Sequence, residues 1–212
     1  MQLQPEQSEV LYGLGMTLDA LGKSGRAAAI LSSLAPSDRR GYAPAHLWQA
    51  KMVLRGTKST RQALGAAEKH LLFVAQYEPA NHEANALLGE LYFKTGRWAQ
   101  AEPYLRKAAS DRPELLFLLA NVDRSQGKRD EGRGQAELAL MIFRKRAEAR
   151  PDDREARGYW AAAALLLEDF PGAVEILQQG LARGEDPFYH QALARVYVTQ
   201  SDALGRDPKA AV

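Results

Sequence analysis

Apolar residues along this chain recur at intervals of three and four, the spacing of one face of an α-helix. Leu11, Leu14 and Leu18 form one such series, and a similar series surrounds Gly89. Glycine, proline or a polar cluster interrupts each series after about three to four turns, a typical helix length. The pattern therefore predicts a succession of short helices joined by turns.

A pair of small residues recurs along these predicted helices in a fixed order. The first members are Gly15, Ala50, Gly89, Ala120, Ala161 and Ala194, and the second members are Ala27, Ala67, Ala101, Gly132 and Ala173. The two members stand twelve residues apart in every unit except the second, where the separation is seventeen. Only small side chains allow two helix axes to approach closely, so we expect paired helices to touch at these positions. Glycines at Gly22, Gly96 and Gly127 fall where the chain leaves one helix and turns.

One unit carries a complete motif in the stretch LLGELYFKTGRWAQAEPYLRKAASDRP. Its motif residues are Leu88, Gly89, Tyr92, Gly96, Ala101, Leu105, Ala108 and Pro113. This motif resembles the tetratricopeptide repeat family, in which about 34 residues form one helix–turn–helix. The resemblance implies an all-α fold, a right-handed superhelical solenoid of antiparallel helix pairs, with about five repeats and a C-terminal capping helix.

On this basis the chain is expected to be one solenoid domain over residues 1–212. The expected repeats are 8–41, 43–81, 82–112, 113–152 and 154–186, followed by a capping helix at 187–202 and a flexible tail at 203–212. A terminal helix of this kind covers the apolar edge that a repeat array would otherwise expose.

Composition narrows the possible partners and compartments. The net charge is +2 at pH 7, which gives no electrostatic case for nucleic acid. The longest apolar stretch, residues 161–167, is far too short to span a bilayer, and the N-terminus lacks the pattern of a signal peptide. We therefore expect a soluble protein without membrane insertion. A cytoplasmic location is favoured, and a periplasmic one stays open if the chain is a fragment.

Candidate catalytic and metal sites are weak in this sequence. The segment Gly22–Ser24 reads GKS, but Thr17 stands where a phosphate-binding loop needs glycine, and a predicted helix precedes it. The histidines, His46, His70, His82 and His190, lack the local spacing of a zinc site, and the chain has no cysteine. The basic run at 143–150 fits a surface helix better than a phosphate or acidic-partner contact. We expect no enzyme activity and no cofactor.

The family resemblance implies that the first helix of each pair lines a concave groove where a partner binds. The positions carried over are Tyr12, Met16, Lys51, Arg55, Glu90, Phe93, Lys94, Asn121, Arg124 and Arg195. An alternative for Phe93, and for Leu47 and Phe117 at related positions, is packing between repeats. The expected function is a non-enzymatic scaffold that binds a peptide or protein segment. The alternative is a structural or oligomerisation module of a larger assembly, associated with secretion or the cell envelope, which uses its end helix or convex face.

Overall fold

The computed structural model describes residues 5–56, 60–184 and 186–206, and within these residues it contains helices and no strand. The helices are α1 (Pro5–Ala20), α2 (Ser24–Leu34), α3 (Ala43–Arg55), α4 (Arg61–Tyr77), α5 (His82–Lys94), α6 (Trp98–Ala108), α7 (Leu116–Ser125), α8 (Arg129–Ala149), α9 (Arg154–Leu166), α10 (Phe170–Leu181) and α11 (Pro187–Arg206). A short 3₁₀ turn at Pro113–Leu115 precedes α7. The prediction of an all-α helical-repeat fold is confirmed. None of the described helices combines the length and the apolar character needed to cross a bilayer.

The chain forms two compact units, an N-terminal unit of residues 1–111 and a C-terminal unit of residues 112–212. The N-terminal unit contains α1 to α6, and the C-terminal unit contains α7 to α11. Within each unit a helix packs against the one that follows it in the chain. Turns of three residues join the members of most pairs, so the paired helices run in opposite directions.

The small residues lie where paired helices touch, as the spacing predicts. A Cβ atom placed on Gly89 of α5 would lie 2.6 Å from the side chain of Leu105 on α6. The same contact recurs in the first pair, where a Cβ on Gly15 would lie 2.7 Å from the side chain of Leu31. Both leucines have no exposed surface. Glycine at the first position therefore sets the distance between the helices of a pair.

The predicted turn glycines adopt the left-handed backbone conformation that favours glycine. Their φ angles are 72° at Gly22, 72° at Gly96 and 79° at Gly127. A side chain at such a φ is strained, because its Cβ approaches the backbone carbonyl. These three glycines allow the chain to leave a first helix and begin the second within a few residues.

The last helix departs from the repeat pattern. Ala194 of α11 is exposed, unlike the small residues of the earlier first helices, because no described helix follows α11 to cover it. Tyr189 and Val196 of the same helix are buried against α9 and α10. Helix α11 continues to Arg206, past the expected end at residue 202, and residues 207–212 of the expected tail lie outside the described residues.

Candidate functional site

The predicted partner-binding residues of the N-terminal unit all lie on first helices. Tyr12 and Met16 are on α1, Lys51 and Arg55 are on α3, and Glu90, Phe93 and Lys94 are on α5. We call these seven residues, together with Glu83, the first-helix surface of the N-terminal unit.

An ion pair connects neighbouring first helices on this surface. Nζ of Lys51 on α3 pairs with Oε1 of Glu83 on α5. Burial, and after it the charge of Glu83, raise the pKa of the Tyr12 hydroxyl on α1. The carboxylate of Glu83 therefore acts on side chains from both other first helices. The ion pair joins Lys51 and Glu83 directly, whereas Tyr12 is related to them only through the charge of Glu83.

Other predicted residues of this surface are open to solvent. Met16, Arg55 and Lys94 are exposed, and Met16 exposes 38% of its surface. Within the described residues, neither Arg55 nor Lys94 forms an ion pair. Their two positive charges are therefore available to a ligand, whereas the charge of Lys51 is already matched by Glu83.

Aromatic side chains on this surface are held by neighbours of their own unit. The Phe93 ring packs edge-on against Trp98 of α6, with a centroid distance of 5.2 Å. The Tyr12 ring packs edge-on against Tyr42, with a centroid distance of 5.5 Å. Both Phe93 and Tyr12 are partly buried, and so is Glu90. These rings have fixed orientations and keep part of their surface accessible, a combination suited to anchoring a partner.

In the C-terminal unit, α7 carries Asn121 and Arg124, and α11 carries Arg195. Nδ2 of Asn121 donates to the carbonyl of Phe117, 2.8 Å away and one turn earlier in the same helix. Arg124 is exposed, and its stem lies against Gly132 of α8, where an added Cβ would lie 2.9 Å from its Cγ. Arg195 is also exposed. Both arginines can reach a ligand, whereas one donor of Asn121 is already used.

Phe117 is a packing residue of the C-terminal unit. Its ring stacks on Phe143 of α8 with centroids 5.9 Å apart and on Tyr159 of α9 with centroids 5.6 Å apart. Burial raises the pKa of Tyr159. This aromatic cluster supports the alternative, given by the sequence, that Phe117 packs between helix pairs.

A buried tyrosine joins the second and third helix pairs. The hydroxyl of Tyr92 on α5 donates to Oε1 of Glu68 on α4 over 2.9 Å. Arg97 donates to the same oxygen over 3.0 Å, and its guanidinium lies 4.4 Å from the centre of the Tyr92 ring. Burial and the hydrogen bond to Glu68 raise the pKa of Tyr92. This network fixes α5, and with it the first-helix surface, against α4.

Two histidines form a contact that the sequence spacing did not indicate. His46 on α3 and His70 on α4 are 1% and 8% exposed, and their Nδ1 atoms are 2.8 Å apart. Burial, and after it the charge of His70, lower the pKa of His46 to about 4, and burial also lowers the pKa of His70. The residues that the structure describes contain no group of three or more potential metal ligands.

Sequence reasoning also missed Glu83. It lies seven residues before Glu90, so both project from one face of α5. The residues predicted from the sequence lie within one turn of Gly89, whereas the surface extends over two turns of α5. The same-face spacing of seven was the signal that could have found it.

Comparisons with known proteins agree with this architecture. Residues 59–115 match the family model of the tetratricopeptide repeat. No curated protein sequence matches the chain significantly. Similar solved structures include MamA AMB-1, with 16% identity over 87% of this chain and 96% of that chain and a TM-score of 0.54. TTC0263, a thermophilic TPR protein in Thermus thermophilus, has 19% identity over 79% of this chain and 93% of that chain, with a TM-score of 0.50.

A third similar structure is the human IFIT1 dimer with m7Gppp-AAAA, with 17% identity and a TM-score of 0.51. It aligns with 92% of this chain and 46% of its own. At these identities the likeness concerns the fold alone.

Proposed function

Because the chain is a tetratricopeptide-repeat protein, we propose that it is a non-enzymatic scaffold that binds a peptide or protein segment. In this proposal the N-terminal unit binds through the first-helix surface, and Asn121, Arg124 and Arg195 are the candidate partner contacts of the C-terminal unit, considered by itself. The helix pairs are then the five repeats within the expected bounds, and α11 is the capping helix. The partner is a protein, with no cofactor, nucleic acid or membrane insertion involved.

The observation that carries this proposal is the combination of fixed rings and open cations on the first-helix surface. Phe93 and Tyr12 supply partly accessible rings, and Arg55 and Lys94 supply charges that no described residue pairs. Aromatic residues and arginine are enriched at the energetic centres of protein interfaces. The excess of positive charge favours a partner segment with acidic side chains.

The test compares two charge-reversal variants that change the net charge equally. Arg55→Glu/Lys94→Glu alters the first-helix surface, whereas Arg61→Glu/Lys69→Glu alters positions of α4, a second helix. Partners are retrieved from a lysate with each protein and identified by mass spectrometry. We expect the first variant to lose partners that the wild type and the α4 variant retain. Identical partner sets for all three proteins would contradict binding on this surface.

A second candidate function is self-association through the terminal helices. The helix α1 exposes apolar residues on its surface, with Val10 72% and Leu14 48% exposed, and Leu21 just after it is 64% exposed. The helix α11 exposes Tyr197 and Val198 to 53% and 62%. Apolar side chains grouped on one helix are a common feature of association surfaces. Light scattering over a range of protein concentrations tests this function independently of any partner.

A further inference from the structure

The C-terminal unit contains a cavity of about 640 Å³ between α8, α9 and α10. Leu140 of α8, Trp160 of α9 and Ile176 of α10 give it an apolar part, and Arg157 of α9 lies in its wall. None of the predicted partner-binding residues lines this cavity, so it is separate from the residues considered above. Its volume is within the range of sites that hold a small ligand or a few side chains.

The buried arginine in this wall lacks a carboxylate partner among the residues that the structure describes. Arg157 is 4% exposed, and its Nε atom has no hydrogen-bond partner there. One terminal nitrogen donates to the carbonyl of Pro151 over a long 3.4 Å. A guanidinium stays charged at every physiological pH, and a buried charge without a partner is costly.

The position of Arg157 is fixed by its neighbours. A Cβ atom placed on Gly180 of α10 would lie 2.9 Å from Cδ of Arg157 and 2.5 Å from the Tyr189 ring. The stem of the arginine therefore fills the space beside a residue without a side chain. This packing holds the guanidinium at the cavity.

Carboxylates close to Arg157 in the chain are occupied by other groups. Asp153 accepts from Nε of Arg146 over 2.8 Å and from the amide of Ala156 over 2.9 Å. Asp186 pairs with Arg154 over 2.9 Å. These two acids are thus engaged elsewhere, and no carboxylate of the described residues forms an ion pair with Arg157.

The acids that line the cavity itself have contacts of their own. Glu148 pairs with Arg144 over 2.8 Å, and Asp169 caps α10 by accepting from the amide of Gly172 over 3.0 Å. Glu175 accepts from the side chain of Gln179 over 3.2 Å. Their negative charge disfavours a dianion, whereas a single carboxylate would match the one buried guanidinium.

We propose that this cavity binds a carboxylate side chain of an acidic partner segment, which pairs with Arg157. A neighbouring apolar side chain of the segment packs against Trp160. Arg183 also lines the cavity, is exposed and forms no ion pair with a described residue, so it attracts the incoming negative charge. This site goes beyond the proposed first-helix surface, because it lies on different helices and recognises one defined group.

Heteronuclear NMR on the full chain tests the proposal, with the Nε–H signal of Arg157 and the indole N–H signal of Trp160 as reporters. The probe is a short acetylated and amidated peptide with one central glutamate flanked by leucines. We expect saturable shifts of both signals. A counterpart peptide with glutamine in place of glutamate lacks the charge, so its affinity should be lower by about tenfold or more.

Two variants of the protein test the role of the arginine. Arg157→Met should reduce affinity for the glutamate peptide by about tenfold or more while the thermal midpoint stays level or rises, because a buried charge is removed. If this variant does not fold, Arg183→Gln supplies the test, with an expected loss of a few fold and a weaker dependence on salt. Arg61→Gln on α4 is the matched control and should bind as the wild type does.

Several outcomes would overturn the proposal. Equal affinity for the glutamate and glutamine peptides would show that no carboxylate is recognised. Unchanged binding by a folded Arg157→Met protein would place the contact elsewhere. Absence of any peptide-induced shift would also overturn it, as would a shift of the Arg157 signal with inorganic phosphate alone. The retrieval of lysate partners by Arg55→Glu/Lys94→Glu tests the first-helix surface and not this cavity. Failure of one site can therefore be distinguished from failure of the other.

Discussion

Nδ1 of His46 lies 2.8 Å from Nδ1 of His70, so two buried imidazoles share one proton between α3 and α4. Such a bond needs one ring to donate and the other to accept, which requires that the accepting nitrogen carries no proton. The Phe73 ring, with its centroid 5.0 Å from that of His46, adds an apolar neighbour. Protonating both rings would bury two like charges and remove the hydrogen bond.

We therefore expect the N-terminal unit to lose stability as the pH falls from about 6.5 toward 4. The pKa of both histidines is lowered in the folded state, to about 4 for His46, so the unfolded chain takes up protons first. Each additional proton bound by the unfolded chain costs about 1.4 kcal/mol of unfolding free energy per pH unit. Urea unfolding at several pH values measures this dependence.

The matched variant for this prediction is His46→Asn/His70→Asn, which keeps donors and acceptors near Nδ1 but removes the titration. Its unfolding free energy should change less steeply between pH 7 and pH 5 than that of the wild type. Equal slopes for the double variant and the wild type would contradict the shared-proton pair.

The close approach of paired helices predicts that the same substitution changes the unfolding free energy differently at two glycines. Gly89→Val places methyl groups against Leu105, whose side chain is already 2.6 Å from an added Cβ, and should lower unfolding free energy by about 1–3 kcal/mol. Gly134→Val introduces a side chain into open space and should change it by less than about 0.5 kcal/mol. Chemical denaturation of both variants measures the difference, and similar losses would argue against a special contact at Gly89.

Removing the hydroxyl that joins two helix pairs should destabilise the N-terminal unit. Tyr92→Phe deletes the donor to Glu68, so we expect a loss of about 1–2 kcal/mol. Tyr104→Phe is the control, because this tyrosine packs against the Tyr92 ring and its hydroxyl makes no described hydrogen bond. Equal stability of the two variants in urea would show that the Glu68 contact contributes little.

Self-association through α1 predicts that acidic substitutions reduce it. Val10→Glu/Leu14→Glu replaces two exposed apolar residues of α1 with charged ones. The weight-average molecular mass at high protein concentration should therefore fall to that of a monomer. Leu138→Glu, at an exposed position of α8, is the control and should associate as the wild type does. Sedimentation equilibrium makes the measurement. A wild type that stays monomeric throughout would contradict this function.

Features of the fold that repeat along the chain could be predicted from the sequence. The contact of Gly89 with Leu105 and the left-handed turn at Gly96 follow from helix geometry, which favours small residues and turn glycines at corresponding points of several pairs. The extension of α11 to Arg206 was not predicted, because the last helix has no described partner whose spacing would mark its end.

Features formed once between distant residues could not be predicted in the same way. His46 and His70 are 24 residues apart on different helices, and no local spacing brings them together. Arg157 has the sequence surroundings of an ordinary surface arginine, and only the packing of α9 beneath Gly180 buries it. Side-chain burial of this kind depends on how helices from separate pairs meet, which the repeat pattern leaves undetermined.

The long α8 limits how the C-terminal unit could be taken apart. Its Phe143, which is 1% exposed, stacks on Phe117 of the preceding helix and lies 4.7 Å from Tyr159 of the following one, measured between ring centres. A cut after Asp152 would follow the expected boundary between repeats and still divide a shared aromatic core. Duplication, deletion or grafting of this segment would therefore have to carry α7, α8 and α9 as one block.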